Sequence, residues 1–186
     1  MTNVKCLIRV ATEADLRAVA QIHIASWQDA YKNVIPDTLL VGRSVDGSLS
    51  GWRSAFAKYP GNFTVAVSQN EVIQGFCCTG PVVDATRNSP FEFEIYGLHV
   101  SPDSRRQGIG ASLLREAFAR ARDREGMNSV IVWSLRDLRL SRKFYEREGG
   151  KLVSSGIWSI GEFALPEVPL DKSSPRTSGL TSASGQ

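Results

Sequence analysis

Residues 94–110 read Glu94-Ile95-Tyr96-Gly97-Leu98-His99-Val100-Ser101-Pro102-Asp103-Ser104-Arg105-Arg106-Gln107-Gly108-Ile109-Gly110. This is a strand, a turn at Ser101-Pro102 and a glycine-bearing entry into a helix. Consecutive N–H groups at a helix start lack intrahelical partners, and the helix dipole places about half a positive charge there. Together they form an anion site. Gly108 and Gly110 let a phosphate approach the main chain, and Arg105 and Arg106 add charge beside it. A P-loop requires Gly-Lys-Ser/Thr after its glycines, and that sequence is missing. A dinucleotide fingerprint also fails: Gly110 is followed by Ala111-Ser112-Leu113, and the next strand ends Trp133-Ser134-Leu135 without an acid.

Working outward, Lys5 to Val10 predicts a strand. Thr12 and Asp15 form a capping-box pattern ahead of a helix running to about Ser26, with Leu16, Val19, Ala20, His23 and Trp27 at helical spacing. Ser44 to Tyr59 is a weaker helical stretch. Phe63 to Val67 and Val72 to Thr79 predict a hairpin turned at Gln69-Asn70. Arg87 to Pro90 is a loop before a strand from Phe91 to Val100. The helix from Gly108 to about Arg124 puts Leu113, Leu114, Ala117, Phe118 and Ala121 on one face. Ser129 to Leu135 is a near-continuous apolar strand, and a helix from Leu138 to Glu148 stops at Gly149-Gly150. Two last strands are read at Lys151 to Trp158 and Glu162 to Leu170. The order is that of a mixed α/β sheet with helices on its faces.

Composition narrows the function classes. At 186 residues, the chain suits one domain, and folding buries roughly 70% of its extended surface. No apolar run approaches the about 18 residues of a membrane span. The N-terminus lacks a secretory layout, and Cys6, Cys77 and Cys78 make neither a disulfide framework nor a metal knuckle. A cytoplasmic protein without metal is the expectation. Residues 101–150 carry eleven basic and seven acidic side chains, +4 of a total of +3, so the remainder is −1. This local bias fits a small anionic ligand better than a nucleic-acid coat. Residues 171–186 hold five Ser, two Thr, two Gly and one Leu, which predicts a disordered tail after a domain spanning 5–170.

Arg105-Arg106-Gln107-Gly108-Ile109-Gly110 resembles the Q/R-x-x-G-x-G/A motif of the GNAT superfamily of acyl-CoA-dependent N-acetyltransferases. Tyr96 to Pro102 looks like that family's central strand, and Phe144-Tyr145-Glu146-Arg147-Glu148-Gly149 resembles its F-Y-x-x-x-G signature. The opening Ile8 to Asp15 is similar to its first strand and helix cap. The resemblance covers roughly residues 5 to 170. It implies a single-domain fold with a mixed, mostly antiparallel sheet of six to seven strands, splayed at its centre and flanked by about four helices.

The resemblance also implies a chemistry: transfer of an acetyl group from acetyl-CoA to a primary amine. The diphosphate of acetyl-CoA would sit on the amides of Arg106, Gln107, Gly108, Ile109, Gly110 and Ala111, beside Arg105. Its pantetheine arm would pair with the main chain at Leu98, His99 and Val100, as a peptide augments a sheet edge. By motif position, Tyr145 is the general acid for the departing thiolate. Glu94, eleven residues before Arg105, is the candidate base, with Glu92 or a water chain as substitutes. Strict alternation would put Glu94, Tyr96, Leu98 and Val100 on one face and turn His99 away. No cysteine carries a base partner in the motif, which favours direct attack over an acetyl-enzyme.

Leu138 stands where the family usually has an Asn that bonds the pantetheine, Ser141 where it has Ala, and Gly150 where it has an aromatic. A non-catalytic acyl-CoA-binding module of the same fold is therefore the alternative reading. His23 and His99 read as satisfied half-buried residues, and Cys77-Cys78 as packed thiols. Trp27, Gln28, Tyr31 and Ile35-Pro36 either line the acceptor pocket or close the core. The expected partner is a small-molecule or peptide amine, with no nucleic acid and no membrane, and the chain a monomer or homodimer.

Overall fold

The computed structural model describes residues 6–82, 91, 93–126, 130–135, 137–152, 156–160 and 163–171. The chain runs β1 (Leu7–Val10), α1 (Leu16–Tyr31), α2 (Asp37–Val41), α3 (Val45–Lys58), β2 (Phe63–Val67), β3 (Ile73–Pro81), β4 (Phe93–Val100), α4 (Ile109–Glu125), β5 (Ile131–Leu135), α5 (Arg139–Arg147), β6 (Lys151–Leu152), β7 (Gly156–Ile160) and β8 (Phe163–Asp171). All strands join one sheet in the order β1-β2-β3-β4-β5-β8-β6, with β7 also on β8. Only β4 and β5 run parallel. The C-terminal region divides into three strands where the sequence suggests two, so the sheet has eight strands rather than six or seven. The predicted loop at 87–90 and the tail from 172 lie outside the described residues.

Every residue of β2 is buried, as a central strand requires when both faces are covered. On one face, Ile109, Leu113, Leu114, Ala117 and Ala121 of α4 pack on Ala66, Cys77, Phe93, Ile95 and Val132. On the other, Leu16, Val19, Ala20 and Ile22 of α1 and Leu49 of α3 pack on Phe63, Val65, Phe76 and Cys78. Cys77 and Cys78 are free, buried thiols on opposite faces of β3. A third cluster joins Trp27 of α1, Ile35, Leu40 of α2 and Leu135 of β5. α1 extends past Ser26 to Tyr31 because Trp27 continues its buried stripe into this cluster.

Two irregularities shape the middle of the sheet. Between β3 and β4, Cys78 faces Gly97 while Thr79 faces Ile95, which leaves Tyr96 as an extra, bulged residue. Between β4 and β5, pairing is limited to Glu94 with Ile131 and Ile95 with Val132. Beyond Ile95 the two strands part, and the β5 side of Gly97 to Val100 is left as an open edge.

The first helix is anchored at its start. Asp15 accepts from the Thr12 amide at 2.7 Å and the Thr12 hydroxyl at 3.0 Å. It also receives both Arg9 amino groups, at 2.6 and 2.9 Å. The hydrogen bond from Arg9 is the main reason the Asp15 carboxyl is held down at about 2, below its ordinary 3.8. Asp15→Ala is expected to lower the unfolding free energy by about 2 kcal/mol, read as a reduced urea midpoint at unchanged slope. The contribution is present above about pH 4 and is lost as pH falls through the folded value, so wild type and variant converge in acid.

Candidate functional site

The turn after β4 collects unclaimed main-chain donors. A 3-10 turn at Pro102–Ser104 closes on Ser101 through the Ser104 amide at 2.9 Å. The chain then takes positive φ at Arg106 (61°) and Gly108 (82°), and α4 begins at Ile109. Ser112 is the first residue to donate back, to the Gly108 carbonyl at 3.0 Å. Among the described residues, the amides of Gln107, Gly108, Ile109, Gly110 and Ala111 donate to no carbonyl. Alternating left-handed backbone of this kind curls successive N–H groups into an anion-binding nest. One wall is Phe144 of α5: a side chain on Gly110 would lie 3.4 Å from its ring.

The two arginines part company. Arg105 forms an ion pair with Asp29 of α1, and its Nε donates to the Val100 carbonyl at 3.4 Å. It therefore fastens the turn to α1, a use that the motif does not reveal. Arg106 is exposed and has no acidic partner among the described residues, so it is the cation left for an anion in the nest.

The bulge at Tyr96 overturns the expected facing of β4. Strand residues directly opposite one another share a face. Leu98 opposite Cys77, and Val100 beyond it, belong to the α4 face. His99 opposite Phe76 belongs to the α1–α3 face and stacks on that ring at 5.3 Å. Glu94 lies opposite Gly80, at whose missing side chain the Tyr96 ring sits, on the α1–α3 face. One extra residue reverses the parity, so Glu94 shares its face with His99 and not with Leu98 and Val100. Glu92 lies outside the described residues.

Tyr145 packs with Phe144 on the α4-face cluster, with Cys77 and Tyr31 as neighbours. Burial, with smaller effects from those two groups, raises its hydroxyl pKa. The hydroxyl has no hydrogen-bond partner among the described residues. Tyr145 therefore packs against the same α4-face cluster as Leu98 and Val100, whereas Glu94 lies on the other face, about 10 Å along the strand from Gly97 at 3.3 Å per residue.

The α1–α3 face holds a polar group that sequence reasoning missed. Ser26 donates to the His23 carbonyl at 3.2 Å, which leaves its hydroxyl oxygen to accept a hydrogen bond from His99 Nδ1, 2.7 Å away. His23 Nδ1 shares a hydrogen bond with Ser48 of α3 at 2.8 Å, and the two imidazoles meet edge-on at 5.0 Å. Burial keeps both neutral, with pKa values near 4 for His23 and 3 for His99; Arg43 adds to the effect at His23, and His23 and Arg105 at His99. The one available signal was the spacing His23, Trp27, Tyr31, a stripe of four-residue steps along α1. Farther along that stripe, Trp27 and Tyr31 stack at 4.7 Å, Ile35 is buried, and Leu138 packs against the same cluster. Gln28 is exposed. No described residues group as a metal site, and no helix among them is long and apolar enough to cross a membrane.

With this geometry established, comparisons with known proteins converge. The family described as "Acetyltransferase (GNAT) family" matches residues 17–150. An uncharacterized N-acetyltransferase, YuaI of Bacillus subtilis (strain 168), is 27% identical over 163 residues, 88% of this chain and 90% of that protein. The PaiA N-acetyltransferase from Thermoplasma acidophilum, solved in complex with coenzyme A, has the same fold: TM-score 0.71, 17% identity, 91% of this chain and 99% of that one. A ribosomal-protein-alanine N-acetyltransferase from Brucella melitensis gives a TM-score of 0.64 at 25% identity, covering 90% and 99%.

The neutral histidines carry a testable signature. Unfolding frees both imidazoles to bind protons near their ordinary 6.5, so the unfolded state takes up more protons and stability falls as pH drops from there through about 4. Urea midpoints measured from pH 8 to 4 are expected to decline over that window, and His23→Gln with His99→Asn to flatten the decline. A wild-type midpoint constant from pH 6.5 to 4.5 would contradict the neutral pair.

Proposed function

Because the chain belongs to the GNAT family of acetyltransferases, we propose that it moves the acetyl group of acetyl-CoA onto a primary amine by direct attack while both substrates are bound. The observation that carries this reading is the run of unclaimed amides from Gln107 to Ala111, set against the open edge of β4. The nest takes the diphosphate, with Arg106 beside it. The main chain of Leu98, His99 and Val100 takes the pantetheine arm as an added strand. Arg105 serves by holding the turn on α1. A main-chain N–H of that same edge is placed to receive the carbonyl oxygen as it gains charge.

Two protons must move. An alkylamine with a pKa near 10 is mostly protonated at pH 7 and attacks only after losing a proton. The nitrogen then bonds to the carbonyl carbon, the carbon–sulfur bond breaks, and the thiolate takes the Tyr145 proton. The tyrosinate recovers a proton from the nitrogen of the collapsing intermediate, so the charges balance. Tyr145 is suited to this because its raised pKa keeps the O–H intact at neutral pH and its hydroxyl is uncommitted. Glu94 is too far along β4 for direct contact with the reacting carbon, so it takes the amine's first proton through water on the α1–α3 face. The catalytic domain is read as residues 5–170.

Tyr145→Phe is expected to cut kcat by about 10²- to 10³-fold. Its Kd for coenzyme A, measured by calorimetry, should stay within about twofold of wild type. Thiol release by the variant at the wild-type rate would remove Tyr145 from the chemistry. Coenzyme A uptake by the wild type with no release for any amine would mark a chain that binds the cofactor and no longer turns it over.

A further inference from the structure

Beside the aromatic stripe of α1 lies a cation that no described carboxylate answers. Arg43 lies between α2 and α3, half-buried, with its guanidinium carbon 4.2 Å from the centroid of the Trp27 ring. No described Asp or Glu pairs with it. Asp29, on the same half of α1 as Trp27, is taken by Arg105. His23, whose proton affinity Arg43 depresses, is neutral and offers no negative charge. Stacking uses the flat face of a guanidinium and leaves its in-plane N–H fork open, and that fork matches a carboxylate through two parallel hydrogen bonds.

The position of this cation relates it to the reaction. Trp27, on which it lies, is buried and stacks on Tyr31. Tyr31 is close enough to Tyr145 to perturb its hydroxyl. Leu135, at the end of β5 that pairs with β8 but not with β4, and Leu138 pack into the same cluster as Trp27. An apolar, aromatic wall thus runs from the proposed proton donor to one unpaired positive charge. We propose that Arg43 binds an anionic group of the acceptor, so that the amine acetylated is a zwitterion of the amino-acid type, carrying a carboxylate, and not a polyamine or a lysine-rich segment. The inference rests on the acetyltransferase reading above and names the substrate class of that site. A polycation would meet Arg43 with like charge, whereas a carboxylate satisfies the fork and leaves the amine for the thioester.

The test uses the full chain with saturating acetyl-CoA and measures thiol release. Free amino acids are each compared with their own carboxamide, alongside spermidine and a lysine peptide with blocked termini. The carboxylate form is expected to exceed its carboxamide in kcat/KM by about 10- to 100-fold, the range of a hydrogen-bonded charge pair. In Arg43→Gln that ratio should fall to within about twofold of one, while Arg43→Lys, which keeps the charge, retains part of it. A merely structural Arg43 would lower both members of each pair together and leave the ratio intact. That result overturns the proposal, as does equal use of carboxamides or preferred use of spermidine or the lysine peptide by the wild type. Thiol release with none of these amines would remove the acetyltransferase reading and this proposal with it.

Discussion

The molecule depends on where two parallel strands stop pairing. Hydrogen bonding between β4 and β5 ends at Ile95 and Val132, although β4 continues to Val100 and β5 to Leu135. A sheet interior cannot ordinarily leave main-chain donors and acceptors unmatched, because each orphaned group costs about 1–3 kcal/mol. The separation is tolerable only if something extended completes the strand or water reaches it. The packing keeps it open: α4 holds β4 from one face through Leu113 and Leu114, while α1 holds the other through Ser26 and His99. The same opening leads straight to the bare amides at the start of α4. The proposed acetyl-CoA, long, thin and with a diphosphate near one end, matches such an opening in shape and charge.

α1 ties the halves of the site together. Ser26 and Asp29 lie three residues apart, on one side of the helix, and hold His99 and Arg105 respectively. Trp27 and Tyr31, on the same half of the helix, stack on one another. One rigid element therefore braces β4, the turn that leads into α4 and the aromatic stripe. The buried imidazole pair contributes stability to this brace only while uncharged.

Much of this was legible in residue order, and the failures have definable physical causes. The glycine-bearing turn, the α4 stripe of Leu113, Leu114, Ala117 and Ala121, and the cap of Thr12 on Asp15 each follow from local rules, and each appears as read. The facing of Glu94 did not follow, because alternation along a strand assumes no bulge, and the bulge at Tyr96 arises from pairing with β3, far away in sequence. Arg105 has the composition of a phosphate ligand, but its guanidinium goes to Asp29, 76 residues earlier. The bond between Ser26 and His99 spans 73 residues and leaves no trace in spacing. Arg43 had no local signal at all. Each miss is a side chain whose partner is set by topology.

The adjacent thiols acquire a meaning from this setting. Any protein that holds a thioester beside a cysteine risks acylating itself by transthioesterification, which proceeds through the thiolate. Cys77 neighbours Tyr145, yet burial pushes its thiol up to about 12, so the reactive thiolate is strongly disfavoured at neutral pH. Cys78 is raised as well and turned to the opposite face. Desolvation thus holds both adjacent thiols in the unreactive form without removing their sulfur from the core.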